Sequence, residues 1–181
     1  GSGVMAERLS NGNLALALLA NTLATGAGLA VLIAVLGPVS GAHFNPVVTL
    51  VEVAWKRLPA TTGAWFVAVQ CAAGLAGTLL AHAMFALPLL QSSTHVRSGR
   101  PQWLSEAVAT FGLLLVIAGV SRHRPGAAPL AVGGYIAAAY WFTASTSFAN
   151  PAVAMARALS DTFAGIRPLD LPGFILAELI G

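Results

Sequence analysis

Asn-Pro occurs twice in this chain of 181 residues, as Phe44-Asn45-Pro46-Val47 and as Ala149-Asn150-Pro151-Ala152. An Asn side chain offers one carbonyl acceptor and two N–H donors. At a helix N-cap the carbonyl satisfies free backbone N–H groups, and Pro suits the first helical position. Each pair is therefore expected to begin a helix and to keep amide hydrogens available for a passing oxygen. That chemistry is recognition by hydrogen bonding, with no bond made or broken. Covalent chemistry has weaker candidates. Ser147, His43 and Asp161 are a nominal nucleophile, base and acid, but no nucleophile-elbow pattern surrounds Ser147. Met5, Met84 and Met155 are scattered, and no His, Cys, Asp and Glu set has metal-ligand spacing, so neither metal nor cofactor is expected. His43 and Glu106 lie in apolar surroundings, where ionisable groups are costly. Both are read as structural hydrogen-bonding supports rather than solute contacts.

The elements that must position these residues are apolar. Hydrophobic residues make up 57% of the chain and charged residues only 8%, against about 25% charged in an average soluble domain. So few charges cannot cover a water-facing surface, and the solvent that suits this chain is lipid. The net charge of +3 is spread over several loops without a Lys/Arg run, which argues against nucleic acid as a partner. The single cysteine, Cys71, permits no internal disulfide and reads as a small packing residue. A membrane span needs about 20 mostly apolar residues. Four stretches qualify: Leu14 to Val39, Ala60 to Leu87, Trp103 to Val120 and Pro129 to Thr146. They carry Gly26 and Gly28, Gly74 and Gly77, and Gly133 and Gly134, small residues that let membrane helices approach closely.

Two connections are too short and apolar for ordinary loops and too short to span. These are Gly41 to Arg57 and Ser147 to Asp161, and each contains one Asn-Pro. After each Asn comes an apolar run, to Trp55 and to Leu159, enough for about three helical turns or roughly 15 Å. That is half of a bilayer core of about 30 Å. Asn45 and Asn150 stand 105 positions apart, so the chain reads as two related halves, about 1–87 and 103–181, of one membrane domain. Internal repeats of this kind are a common design of transport proteins. Non-helical backbone at membrane depth is tolerated where it is buried or lines a water-filled path. Gly1 to Ala6 and Leu171 to Gly181 read as parts of two further spans cut by the ends of the sequence. Charges do not orient the protein: four Lys/Arg would fall on one side and five on the other.

The stretch Gly41-Ala42-His43-Phe44-Asn45-Pro46 resembles the first signature loop of the aquaporin, or major intrinsic protein, family, and Asn150-Pro151-Ala152 resembles the second. Glu106 with Thr110 and Phe111 is similar to the start of that family's fourth helix, where a Glu supports the second loop. The resemblance runs over nearly the whole chain. It implies an all-α membrane protein, a right-handed bundle of six transmembrane helices plus two re-entrant half-helices, with helices one and six truncated here. The first-half counterpart of Glu106 would fall near the position just before Gly1. A homotetramer with cytoplasmic termini, embedded in membrane lipid, is further implied. The overall look is closest to the arsenic-linked bacterial branch, which implies the bacterial inner (plasma) membrane.

Implied pore residues are Asn45, Pro46, Val47, Asn150, Pro151 and Ala152, with Val47 where the family usually has Ala. Ungapped counting matches the family's selectivity filter to Thr25, Ala138, Ser147 and Val153. Val153 stands where a typical member keeps a guarding Arg, and Arg157 lies one turn further on. Ala138 stands where water-selective members hold a His. Three small or medium side chains and no Arg imply a wide opening. The expected function is a passive channel for small uncharged solutes: polyols such as glycerol, neutral metalloid hydroxides such as arsenous acid, and water. The alternative is a water-selective channel in which Arg157 or a loop residue replaces the missing Arg.

Overall fold

A computed structural model describes all residues 1–181. The chain is entirely helical: α1 (Ser2–Leu9), α2 (Leu14–Ser40), α3 (Pro46–Ala54), α4 (Ala60–Met84), α5 (Arg100–His123), α6 (Ala128–Phe142), α7 (Pro151–Arg157) and α8 (Leu171–Ile180). Short 3-10 turns at Pro125–Ala127 and Pro168–Asp170 lead into α6 and α8. Three helices, α2, α4 and α5, are long and apolar enough to cross a membrane. The fourth expected span is shorter than its sequence suggested. Helix α6 stops at Phe142 because Thr143 turns extended, with φ −108° and ψ 140°, to enter the second Asn-Pro loop. Its 15 residues cover about 22 Å, and the preceding 3-10 turn adds about 6 Å.

The half-helices are also shorter than expected. Nine residues in α3 and seven in α7 give roughly 13 and 10 Å. Their starts follow directly from the sequence. Asn45 and Asn150 are extended N-caps, and Pro46 and Pro151 occupy the first helical turn. Asn45 Oδ1 accepts from Val47 N at 2.9 Å, and Asn150 Oδ1 accepts from Ala152 N at 3.0 Å and Val153 N at 3.3 Å.

The long helices carry their apolar residues outward. Leu23, Val31, Val35, Trp65 and Leu115 are exposed, as lipid-facing residues should be. The helices are held by an apolar cluster around Leu113, Val132, Ile136 and Tyr140 and by small-residue contacts. In each glycine pair one member sits in a crossing and the other faces open space. A Cβ on Gly133 would lie 2.5 Å from Gly26 O, and one on Gly74 would lie 3.2 Å from Ala152 O. Gly28, Gly77 and Gly134 have nothing near them. The Gly26–Gly133 crossing joins α2 to α6, and the Gly74–Ala152 contact seats α7 on α4.

Candidate functional site

The two Asn-Pro loops meet in the interior. Asn45 Nδ2 donates to Ala149 O at 2.6 Å, and Asn150 Nδ2 donates to Phe44 O at 2.8 Å. Each amide thus spends its oxygen on its own helix and one hydrogen on the opposite loop, which leaves one hydrogen per Asn. The loops share an unusual backbone. Positive φ occurs at Gly41 (77°), Ala42 (49°) and Phe44 (49°), and again at Thr146 (61°), Ser147 (48°) and Ala149 (48°). Each angle in the first loop has its counterpart 105 residues later. In this conformation the carbonyls of Gly41, Ala42 and His43, and of Thr146, Ser147 and Phe148, accept no hydrogen bond from the protein. Two short rows of free acceptors therefore flank two donors.

The loops are supported differently. In the second, Glu106 is fully buried, and its carboxylate accepts from Phe148 N at 2.9 Å and Ala149 N at 2.6 Å. Glu178 on α8 accepts from the next amide, Asn150 N, at 3.0 Å. In the first, His43 Nδ1 lies 3.1 Å from Thr49 Oγ1, which receives Gln70 Nε2 at 3.0 Å. Thr49 Oγ1 also donates to Asn45 O at 3.2 Å. His43 further packs edge-on against Phe66, with ring centroids 5.6 Å apart.

A cavity of about 640 Å³ runs along both loops, lined among others by His43, Asn45, Asn150, Val132, Ile136 and Tyr140. A second, of about 590 Å³, lies between α1, α2, α4 and α7. The two share Thr25, Phe44, Val153 and Arg157. Of the residues matched to a filter, Thr25, Ser147 and Val153 line the first cavity. Ala138 does not, and its assignment is corrected here: it is exposed on the outer face of α6. The cavity side of α6 carries Val132, Ile136 and Tyr140, spaced by four. Ala138 lies two residues from Ile136 and from Tyr140, about 200° round the helix from each. Tyr140 occupies the place by the cavity instead, its hydroxyl 3.5 Å from Thr25 Oγ1. Val47 is buried at the start of α3 and lines neither cavity, whereas its neighbour Val48 lines the first. Ala152 lines the second. The nominal triad is not assembled: Asp161 is bound to Thr94 through both N and Oγ1, at 2.7 and 2.9 Å.

Two arginines gather at Phe148. Arg157 lies 4.3 Å from its ring centroid and donates from Nη2 to the Tyr140 hydroxyl at 2.5 Å. Arg97 lies 5.0 Å from the same centroid, and its guanidinium donates to the carbonyls of Gly165, Ser145 and Phe163 at 2.7–2.9 Å. Arg97 comes from the connection between α4 and α5, which folds back over the second loop. Burial first, and the Arg157 charge second, lower its guanidinium to about 10, so it stays charged at neutral pH. Sequence reasoning singled out neither Arg97, Tyr140 nor Glu178. An Arg in a polar connection and a Tyr in an apolar helix carry no local signal, and Glu178, a lone charge in an apolar segment, was the one that could have been noticed.

The family model described as Major intrinsic protein matches residues 1–165. The chain is 59% identical over 182 residues to the aquaglyceroporin AqpS of Rhizobium meliloti (strain 1021), covering 100% of this chain and 77% of that protein. It is 33% identical to aquaporin NIP2-2 of Zea mays over 82% of this chain and 53% of that one. It is 30% identical to aquaporin NIP3-1 of Arabidopsis thaliana, over 76% of this chain and 47% of that one. Crossed asparagine caps, paired half-helices and a family match over most of the chain agree, and this integral membrane protein belongs to the major intrinsic protein family.

Proposed function

We propose that the chain is a passive channel for small uncharged hydroxylated solutes: polyols such as glycerol, neutral metalloid hydroxides such as arsenous acid, and water. The observation that carries this reading is the pairing of donors with acceptors along one cavity. Asn45 and Asn150 each keep one amide hydrogen, and the carbonyls of five cavity-lining loop residues, Gly41, Ala42, His43, Ser147 and Phe148, have no protein partner. A solute with several O–H groups exchanges its water contacts for these without a large penalty, while a bare cation loses its hydration shell. Thr25, Ser147 and Val153 are short side chains on the wall, which suits a solute wider than water. The name of the 59% identical relative, an aquaglyceroporin, supports the same class. A homotetramer in a bacterial plasma membrane is the assembly proposed with it.

One observation favours the narrower, water-selective reading: Arg157 and Tyr140 both reach the cavity and are bonded to each other. Flux separates the two. In proteoliposomes the protein should speed entry of glycerol and arsenous acid together with water. Fast water flux with glycerol entry at the level of empty liposomes would reject the wide passage in favour of the water channel.

A further inference from the structure

Two side chains take three consecutive amides of the second loop, and both side chains are fully buried. They are not equally occupied. Glu106 spends Oε1 on Phe148 N and Oε2 on Ala149 N. Glu178 spends Oε1 on Asn150 N, and its Oε2 is buried without a donor. The group beside it is the Glu106 carboxyl, within hydrogen-bond reach. Two ionised carboxylates so close repel, whereas one proton between them makes the contact a charge-assisted hydrogen bond. The charged groups on the elements packed against α8 are Glu106 on α5, Arg157 on α7 and Asp170 at the start of α8. Asp170 lies about 12 Å back along the helix and is bonded to Arg167 and to Arg97 N. Arg157 and Arg97 favour negative charge at this loop, but neither is paired with a carboxylate, since the ion pairs of the chain are Arg57–Glu52 and Arg167–Asp170. Arg157 donates to Tyr140, and the Arg97 guanidinium donates to three carbonyls. Attraction and repulsion both weaken with distance, so the closest contact, carboxyl against carboxyl, decides. Hydrogen bonds to an anion keep it ionised, so Glu106, with an amide on each oxygen, holds the charge.

We propose that Glu178 is a positioning residue of the passage that works as a neutral acid: its Oε1 holds Asn150 N, and its Oε2 carries a proton donated to Glu106. The role rests on the channel reading above. The shared proton ties α5 to α8 across the second loop. It fixes the backbone of Asn150, whose side chain reaches Phe44 O and keeps one hydrogen for solute. Loss of the proton sets two like charges against each other beside amides 148–150, so the support and the passage fail together. The folded chain then holds a proton that an unfolded glutamate releases at neutral pH. Stability and flux therefore fall as pH rises.

The test uses the whole chain, in detergent for infrared spectra and in proteoliposomes for glycerol entry. At neutral pH the wild type should show the C=O stretch of a protonated carboxylic acid, and Glu178→Gln should lack it. Raising the pH should remove this band and, over the same range, glycerol flux. Glu178→Leu leaves Asn150 N without an acceptor and should lower flux about tenfold or more. The conservative Glu178→Gln offers an oxygen to Asn150 N and an NH2 to Glu106. It should restore flux to within about twofold of wild type and abolish the pH dependence. A wild type without the acid band at neutral pH overturns the proposal. So does wild-type flux that stays constant while the band titrates away, or a folded Glu178→Gln no better than Glu178→Leu. If Glu178→Gln does not assemble, the wild type decides: band and flux lost together support the role, and a missing band overturns it. Absence of water and glycerol flux in the wild type overturns the channel reading alone, because the band and thermal unfolding against pH still report the shared proton.

Discussion

The two re-entrant loops share a backbone and differ in what holds it. Positive φ recurs at 41, 42 and 44 and at 146, 147 and 149, and each loop ends in an Asn that caps its own helix and reaches across to the other. Five of those six residues are not glycine, and each such residue in the left-handed region costs about 1–2 kcal/mol. The second loop sets carboxylates against its strain: Glu106 and Glu178 take three consecutive amides, Phe148, Ala149 and Asn150. Within residues 1–181 the first loop is held by a neutral group, His43, Thr49 and Gln70. The geometry common to both is the row of free carbonyls and the crossed amides, and it is kept under either support. The recurrence of one backbone in both loops, each ending in a crossed amide, ties the loop conformation to the passage.

The largest expected effect tests that difference directly. Glu106→Gln offers one oxygen where two amides now bind, and turns an NH2 toward the other. Leaving a buried donor unsatisfied costs about 1–3 kcal/mol, more next to a charge. Thermal unfolding in detergent should show a clear drop, with glycerol flux lost. His43→Gln can still reach Thr49 and should cost about 1 kcal/mol or less. Equal losses in the two variants would mean that the carboxylate is no stronger a support than the neutral network.

Next in size is the effect of charge at the crossing. Asn150→Asp adds a third acidic group beside Glu106 and Glu178 and removes the donor to Phe44 O. Asn45→Asp removes the matching donor to Ala149 O and sits beside the neutral group of His43, Thr49 and Gln70. Neutral-solute flux, normalised to the amount of reconstituted protein, should fall in both and fall further in Asn150→Asp. The opposite order would show that the acidic support does not reach the midpoint electrostatically.

The smallest effect concerns what the loops share. Ala42→Gly and Ala149→Gly each relieve a left-handed backbone, offset by greater freedom of the unfolded chain and, at Ala149, by a lost buried methyl. Both should shift stability by about 1 kcal/mol or less and in the same direction. A gain at one site and a loss at the other would show that the strain is not equivalent in the two halves.

The sequence by itself determined the membrane setting and the two half-helix starts. Those features rest on local rules: apolar length sets a span, and an Asn-Pro cap acts within three residues of itself. It also singled out Glu106 and His43 as supports, because an ionisable side chain in an apolar stretch needs a partner wherever it sits. Only the tertiary structure decided which side chains face the passage. Two residues along α6 amount to about 200° of rotation, so a short error in matching put Ala138 on the wall when Tyr140 stands there. Arg157 and Arg97 converge on Phe148 from α7 and from the connection after α4, although 60 positions separate them in sequence. A long, flexible, charged side chain carries no local information about where its head comes to rest. That position is set by the carbonyls, hydroxyl and ring that the folded chain presents to it.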